Sequence, residues 1–362
     1  MGTTEGAAAT RREVRFTSGS TECVAWLYTP AGTGPRPLVV MGHGLGAVRQ
    51  MRLDAFAERF AAAGWSALVF DYRYLGDSGG QPRQLIDIEA QLADWHAALA
   101  YARTLPDVDV ERIAVWGSSF GGGHVLRVAA DDGGVAAVVA QCPFTDGRAS
   151  LLARMRTSVL STLVLAAAAI VDTVGSWLGA RPVLVPMAGP WWLPAFLASP
   201  DTLSGASELV PPGTRLSART SAALRRLPGL RARVSGHVEL SDAELPSGIG
   251  RDTIWGVLTG PGGDYSAANA LSARLALWLP LYRPGRAMAR IQAPTLVCVC
   301  DRDAVAPAAA TIRHADGLAH VHVRHYPCSH FEIYVGDEFE RAVRDQIYFL
   351  ATHFNEAAVA PR

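Results

Sequence analysis

A chain of 362 residues, 49% hydrophobic and 18% charged, is unlike a disordered segment and long enough to bury a sizeable core, as one large domain or as a core with a big insertion. Its 33 basic and 33 acidic residues cancel and form no run of either sign, so the long-range attraction that nucleic acid or an anionic lipid surface would need is missing. All 33 basic residues are arginine, which excludes a Schiff-base lysine, a Ser–Lys dyad and a P-loop lysine, since each needs an amine that deprotonates or acts as a compact point charge.

Residues 1–14 are polar and alanine-rich, without the apolar stretch of a secretory signal, and Gly6 stands where myristoylation after Gly2 needs Ser or Thr. The expected compartment is the cytoplasm. Short apolar, β-rich runs then occur at 21–28, 37–41, 66–70, 113–116, 135–141, 295–300 and 320–326. Between them lie helical patterns at 52–63, 87–103, 119–130, 306–315 and 337–355; in the second, Ile88, Leu92, Trp95 and Leu99 form one apolar stripe. Such alternation predicts an α/β chain whose mostly parallel sheet is covered by helices on both faces.

The rhythm stops between 147 and 290, which divides the chain into a first core part (1–146), an inserted cap (147–290) and a second core part (291–362). Within the cap, the apolar run 158–179 carries Asp172 near its middle and several Ser and Thr, which favours a buried amphipathic helix over a membrane span. The segment 211–264, rich in Gly, Ser, Pro and Arg, is expected to be the least ordered part. Trp177, Trp191, Trp192, Phe196, Trp255, Trp278 and Tyr282 concentrate aromatic surface in the cap, as its own core or as the wall of an apolar pocket; Trp191 and Trp192 are the candidate pocket residues. Five cysteines in a chain of this size read as buried thiols, and Cys298-x-Cys300 on a strand lacks the second pair that zinc would want, so no metal is expected.

The strand at 113–116 runs into Gly117-Ser118-Ser119-Phe120-Gly121 and then into a helical segment. This is G-x-S-x-G at a strand-to-helix turn, where the flanking glycines relieve crowding and the central Ser119 sits on a strained backbone, presented as a nucleophile. A serine hydroxyl needs a base, and the base needs an acid that fixes its tautomer; on such a scaffold they follow in the order acid, then histidine. His330, in Pro327-Cys328-Ser329-His330-Phe331 beyond the last strand, lies where the base should be, whereas His320, His322 and His325 fall on the strand and His124 inside the helix after Ser119. Asp301 and Asp303 compete for the acid in Asp301-Arg302-Asp303-Ala304-Val305-Ala306-Pro307. An oxyanion would take one backbone donor from Phe120 and one from the loop Gly42-His43-Gly44-Leu45-Gly46, with Leu45 preferred and Gly44 next. That loop lacks the G-x-G-x-x-G spacing of a dinucleotide turn.

His43-Gly44-Leu45-Gly46, the turn at 117–121, Asp303 and His330 together resemble the α/β-hydrolase superfamily over about residues 20–145 and 291–355. The resemblance implies an eight-stranded, mostly parallel sheet with a large, mainly helical cap after the sixth strand, no cofactor, and Asp303 as the acid, because D-x-D-x-x-x-P in this family uses its second aspartate. Asp301 then becomes a turn residue. More narrowly, Phe70-Asp71-Tyr72-Arg73-Tyr74-Leu75-Gly76-Asp77-Ser78, Trp116 before the turn and Tyr282-Arg283-Pro284 resemble single-chain thioesterases, esterases and polyketide acyl transferases of bacterial and fungal secondary metabolism. That implies a Ser119 acyl-enzyme formed from an ester, thioester or lactone whose largely apolar acyl group arrives on a small molecule or a carrier. Resolution by water makes a hydrolase and by an alcohol or amine a transferase; a ligand-binding protein without turnover is the third alternative. Asp71 and Asp77 read as loop-fixing residues.

Overall fold

In the computed structural model, which describes residues 9–199, 202–210, 215–217, 239–240, 257–259 and 266–354, the apolar runs become the strands of one eight-stranded sheet. These are β1 (Thr10–Ser18), β2 (Thr21–Thr29), β3 (Arg36–Gly42), β4 (Ser66–Phe70), β5 (Val108–Ser118), β6 (Ala137–Gln141), β7 (Thr295–Cys300) and β8 (Val321–Tyr326). They lie in the order β1-β2-β4-β3-β5-β6-β7-β8; β2 is antiparallel to both its neighbours and all other pairs are parallel. β1 had no counterpart among the sequence-predicted strands. Its first half is exposed, and only Val14, Phe16 and Ser18 alternate inward, so the Arg-rich start hides a half-buried edge strand.

The central strands β4, β6 and β7 are buried at every position, which is why they read as unbroken apolar runs. Successive residues feed opposite layers: Leu38, Val40, Leu68, Phe70 and Val115 join one core, and Val39, Met41, Ala67, Val69 and Trp116 the other. The described helices of eight residues or more are α1 (Leu53–Ala62), α2 (Ile88–Arg103), α3 (Phe120–Asp132), α4 (Gly147–Thr157), α5 (Val159–Trp177), α6 (Ala308–Ala315) and α7 (Gly336–His353). Residues of α2, α3 and α6 fill the first core, and those of α1 and α7 the second. Helix α2 starts where the Asp87 carboxylate accepts from Ala90 N, and its stripe buries Leu92, Trp95 and Leu99.

Between β6 and β7 lie α4, α5 and, in addition to helices, short strands: Leu184–Val185 pairs with Leu271–Ser272, and Arg215–Ser217, Glu239–Leu240, Val257–Thr259 and Ser266–Ala268 form a small sheet. Most of the segment 211–264, with Trp255, lies outside the described residues.

The reading of 158–179 as a buried helix is corrected. Only Ser161, Leu165, Ala169 and Asp172 of α5 are buried, a single inward row at spacings of four, four and three, while Leu160, Leu163, Ile170, Val171 and Trp177 are exposed. Buried Asp172 is held by Arg274, whose Nε and Nη2 each donate at 2.9 Å, and by the amides of Val183 and Arg274 at 2.8 Å. By length and composition α5 could cross a membrane, the one such helix among the described residues.

Candidate active site

β5 ends at Ser118 and α3 begins at Phe120, leaving Ser119 between them at φ 55° and ψ −116°, a left-handed conformation that a non-glycine residue adopts only under constraint. Its amide donates to Gln141 O at 2.9 Å, and its carbonyl accepts from Phe144 N at 2.8 Å and Gly123 N at 3.1 Å. The turn leaves no room for flanking side chains. A Cβ at Gly117 would collide with the Gly121 carbonyl, and one at Gly121 would lie 2.5 Å from His43 O.

Ser119 Oγ is 3.0 Å from His330 Nε2, and His330 Nδ1 is 2.6 Å from Asp303 Oδ2. The other carboxylate oxygen of Asp303 accepts from Val305 N at 2.8 Å and Ala306 N at 2.7 Å. The three residues come from the loops beyond the C-terminal ends of β5, β7 and β8, where parallel strands deliver their loops to one edge of the sheet. Burial, the largest single influence, would lower the pKa of His330; the Asp303 carboxylate and Cys142 together raise it well above the ordinary histidine value.

The rivals are elsewhere. Asp301 is exposed and bonded to His325 Nδ1 at 2.7 Å. Ser118 Oγ is turned to Tyr334 Oη at 2.5 Å and Gln141 Nε2 at 3.1 Å. His124 is fully buried between Tyr282 Oη at 2.7 Å and Gln91 Oε1 at 2.9 Å, and burial lowers its pKa to about 3, so it is a neutral core residue. His320 faces Met288 O at 3.0 Å, and His322 packs on Phe349.

Gly44 is pressed against Ser119, since a Cβ there would be 3.0 Å from Ser119 Cβ, and Leu45 and Phe120 both border the cavity above Ser119. This loop is anchored from below. The Arg49 guanidinium bonds to Asp71 and, at 2.7 Å, to Asp77 Oδ2, while Asp71 also accepts from the amides of Arg49 at 2.8 Å and Asp77 at 3.2 Å. Asp71 and Arg49 are almost wholly buried, so these bonds tie the β3–α1 loop to the turn after β4.

The cavity offers ≈ 140 Å³ to the centres of water-sized molecules and is mostly apolar, with Phe144, Leu151, Leu165, Phe196, Leu279 and Val305 around Ser119. Trp191 and Trp192 do not border it. They sit in a turn closed by Leu193 N on Pro190 O and are 49% and 53% exposed, outside the described lining, in which Phe196 is the one aromatic from the segment 147–290. Sequence reasoning also passed over Arg154 and Thr162, which border the cavity, and Asp146, whose carboxylate caps α4 and pairs with Arg283 at 2.7 Å. The five cysteines are buried and free, and among the described residues no group of three His, Cys, Asp or Glu is placed to hold a metal.

Residues 33–181 match the sequence model of the family described as serine aminopeptidase, S33. The quorum-quenching protein AidA of Acinetobacter baumannii is 45% identical over 338 residues, 93% of each chain. A thiohydrolase of Eupenicillium brefeldianum is 39% identical over 138 residues, 38% of this chain and 44% of that one. The crystal structure of the α/β hydrolase GrgF from a Penicillium species aligns over 96% of this chain and 99% of its own at 21% identity and a TM-score of 0.66, a likeness of fold.

Proposed function

We propose that this chain, which belongs to the α/β-hydrolase superfamily, is a serine hydrolase that cleaves an ester, thioester or lactone with a largely apolar acyl group through an acyl-enzyme on Ser119. The observation that carries this reading is the hydrogen-bonded series Ser119–His330–Asp303 opening into an apolar cavity. With Nδ1–H held by Asp303, the lone pair of His330 Nε2 faces Ser119 Oγ and takes its proton as Oγ bonds to the substrate carbonyl carbon. The amides of Phe120 and Leu45 are the proposed donors to the resulting oxyanion, and removing one such donor costs about 3–4 kcal/mol of transition-state stabilisation. Collapse breaks the bond to the leaving alcohol or thiol, which receives the proton from His330. Water then enters and gives a proton to Nε2 as its oxygen bonds to the acyl carbon; the bond from that carbon to Oγ breaks, Nε2 returns the proton to Oγ, and the acid leaves Ser119 free.

The cap, taken as 147–290, supplies much of the wall against which the acyl group lies. Hydrolysis is favoured over transfer by the relative that matches over 93% of both chains, whose name speaks of quorum quenching. The test is to incubate 4-nitrophenyl esters and an acyl thioester with the wild type and Ser119→Ala, with and without an added alcohol. Free acid is the expected product in both conditions, with turnover reduced about 10⁴- to 10⁶-fold in Ser119→Ala. Retained turnover in the variant would remove Ser119 from the role, and an ester product in the presence of alcohol would make the protein a transferase.

A further inference from the structure

The cavity above Ser119 holds one ionisable side chain among its described lining residues, Arg154, two turns into α4. Four other sheltered arginines each rest on a carboxylate: Arg49 on Asp71, Arg73 on Asp94, Arg274 on Asp172 and Arg283 on Asp146. Among the described residues Arg154 has only neutral acceptors. Its Nη2 donates to Ser161 Oγ at 2.7 Å and its Nη1 to Phe196 O at 3.5 Å, while Nε is buried with no partner. Ser161 cannot shift to serve it better, because its hydroxyl donates to Leu193 O at 2.6 Å. Burial pulls the guanidinium down to about 10, which still leaves it a cation at neutral pH.

A cation with no counter-ion among the described residues, set beside an apolar cavity, discriminates among acyl groups. A plain hydrocarbon chain would strip the remaining water from the guanidinium and return nothing, whereas an anionic oxygen would accept a charge-assisted hydrogen bond from it. We propose that Arg154 is a specificity-determining residue, and that the preferred substrate is an acyl ester or thioester whose acyl group carries a carboxylate. This rests on the reading of Ser119 as the acylated residue, since that fixes which part of the substrate enters the cavity.

The experiment compares kcat/KM for 4-nitrophenyl monoesters of linear dicarboxylic acids with 4-nitrophenyl alkanoates of matched length, across a chain-length series. At the best length the wild type should favour the carboxylate-bearing ester about 10- to 100-fold. Arg154→Gln should abolish that preference, and Arg154→Lys, which keeps a charge but not the planar donor array, should retain part of it. A role confined to bracing α4 against Ser161 and Phe196 would slow both esters together and leave their ratio unchanged, which would overturn the proposal. So would a wild type indifferent to the carboxylate, a result that needs no variant to fold. Ser119→Ala is run in parallel: its turning over either ester at the wild-type rate would count against the acyl-enzyme reading instead.

Discussion

Replacing Asp303 by Asn keeps the size of the side chain but reverses the polarity of one of its two ends. The amide oxygen of Asn can still accept from Val305 N and Ala306 N, which now donate at 2.8 and 2.7 Å. The other end, 2.6 Å from His330 Nδ1, becomes a donor. Two donors cannot face each other where the His330 and Asp303 side chains are only 3% and 2% exposed. The imidazole must then carry its proton on Nε2, 3.0 Å from Ser119 Oγ, where it cannot accept the serine proton. The expected loss is about 10⁴-fold in kcat near neutral pH, or about 5.5 kcal/mol of barrier. The pH profile supplies an independent sign. Neutral His330 is the working base, so kcat/KM rises with pH, with a midpoint raised against burial by Asp303 and Cys142. With Asn the Asp303 charge, the larger of the raising influences, is gone while burial remains, so the midpoint moves down. Initial rates on a 4-nitrophenyl ester between about pH 5 and pH 10 read both effects. Asp301→Asn, at an exposed carboxylate bonded to His325, should stay within about twofold of wild type. An Asp303→Asn enzyme within tenfold of wild type, an unmoved midpoint, or an equal loss in Asp301→Asn would refute the reasoning.

Asp71→Asn removes the charge that meets the buried Arg49 guanidinium, so urea unfolding should show a loss of about 3 kcal/mol, accompanied by a lower kcat as the 42–49 loop loosens. Trp191→Ala and Trp192→Ala, in an exposed turn away from the cavity, should change stability by about 0.5 kcal/mol or less and kcat/KM by less than about twofold.

The parts of this protein that could be read from its sequence are those whose constraints are local. The turn at Ser119 is written in consecutive residues because the crowding at Gly117 and Gly121 comes from a backbone that doubles back within a few positions. Asp303 follows a strand whose apolar run is unbroken, although choosing it over Asp301 took the family pattern, and His330 follows a strand that only alternates apolar and polar residues. Strand β1 escaped because only three of its nine residues face inward. The cap escaped for a different reason. Hydropathy says that α5 is apolar but not that a single row of it finds a partner, and two adjacent tryptophans look like pocket residues until the turn that carries them faces out. Arg154 gave no signal at all: an arginine on a short helix reads as solvated, and its burial depends on Ser161 and Phe196 folding over it from later in the chain.

The proposed chemistry turns on Ser119 being the residue that bonds to the substrate carbonyl. Treating the protein with a fluorophosphonate and mapping the adduct by peptide mass spectrometry tests this most directly. One adduct per chain on Ser119, and none in Ser119→Ala, is the predicted result; an adduct on Ser118 or any other residue, or undiminished labelling of Ser119→Ala, would contradict it.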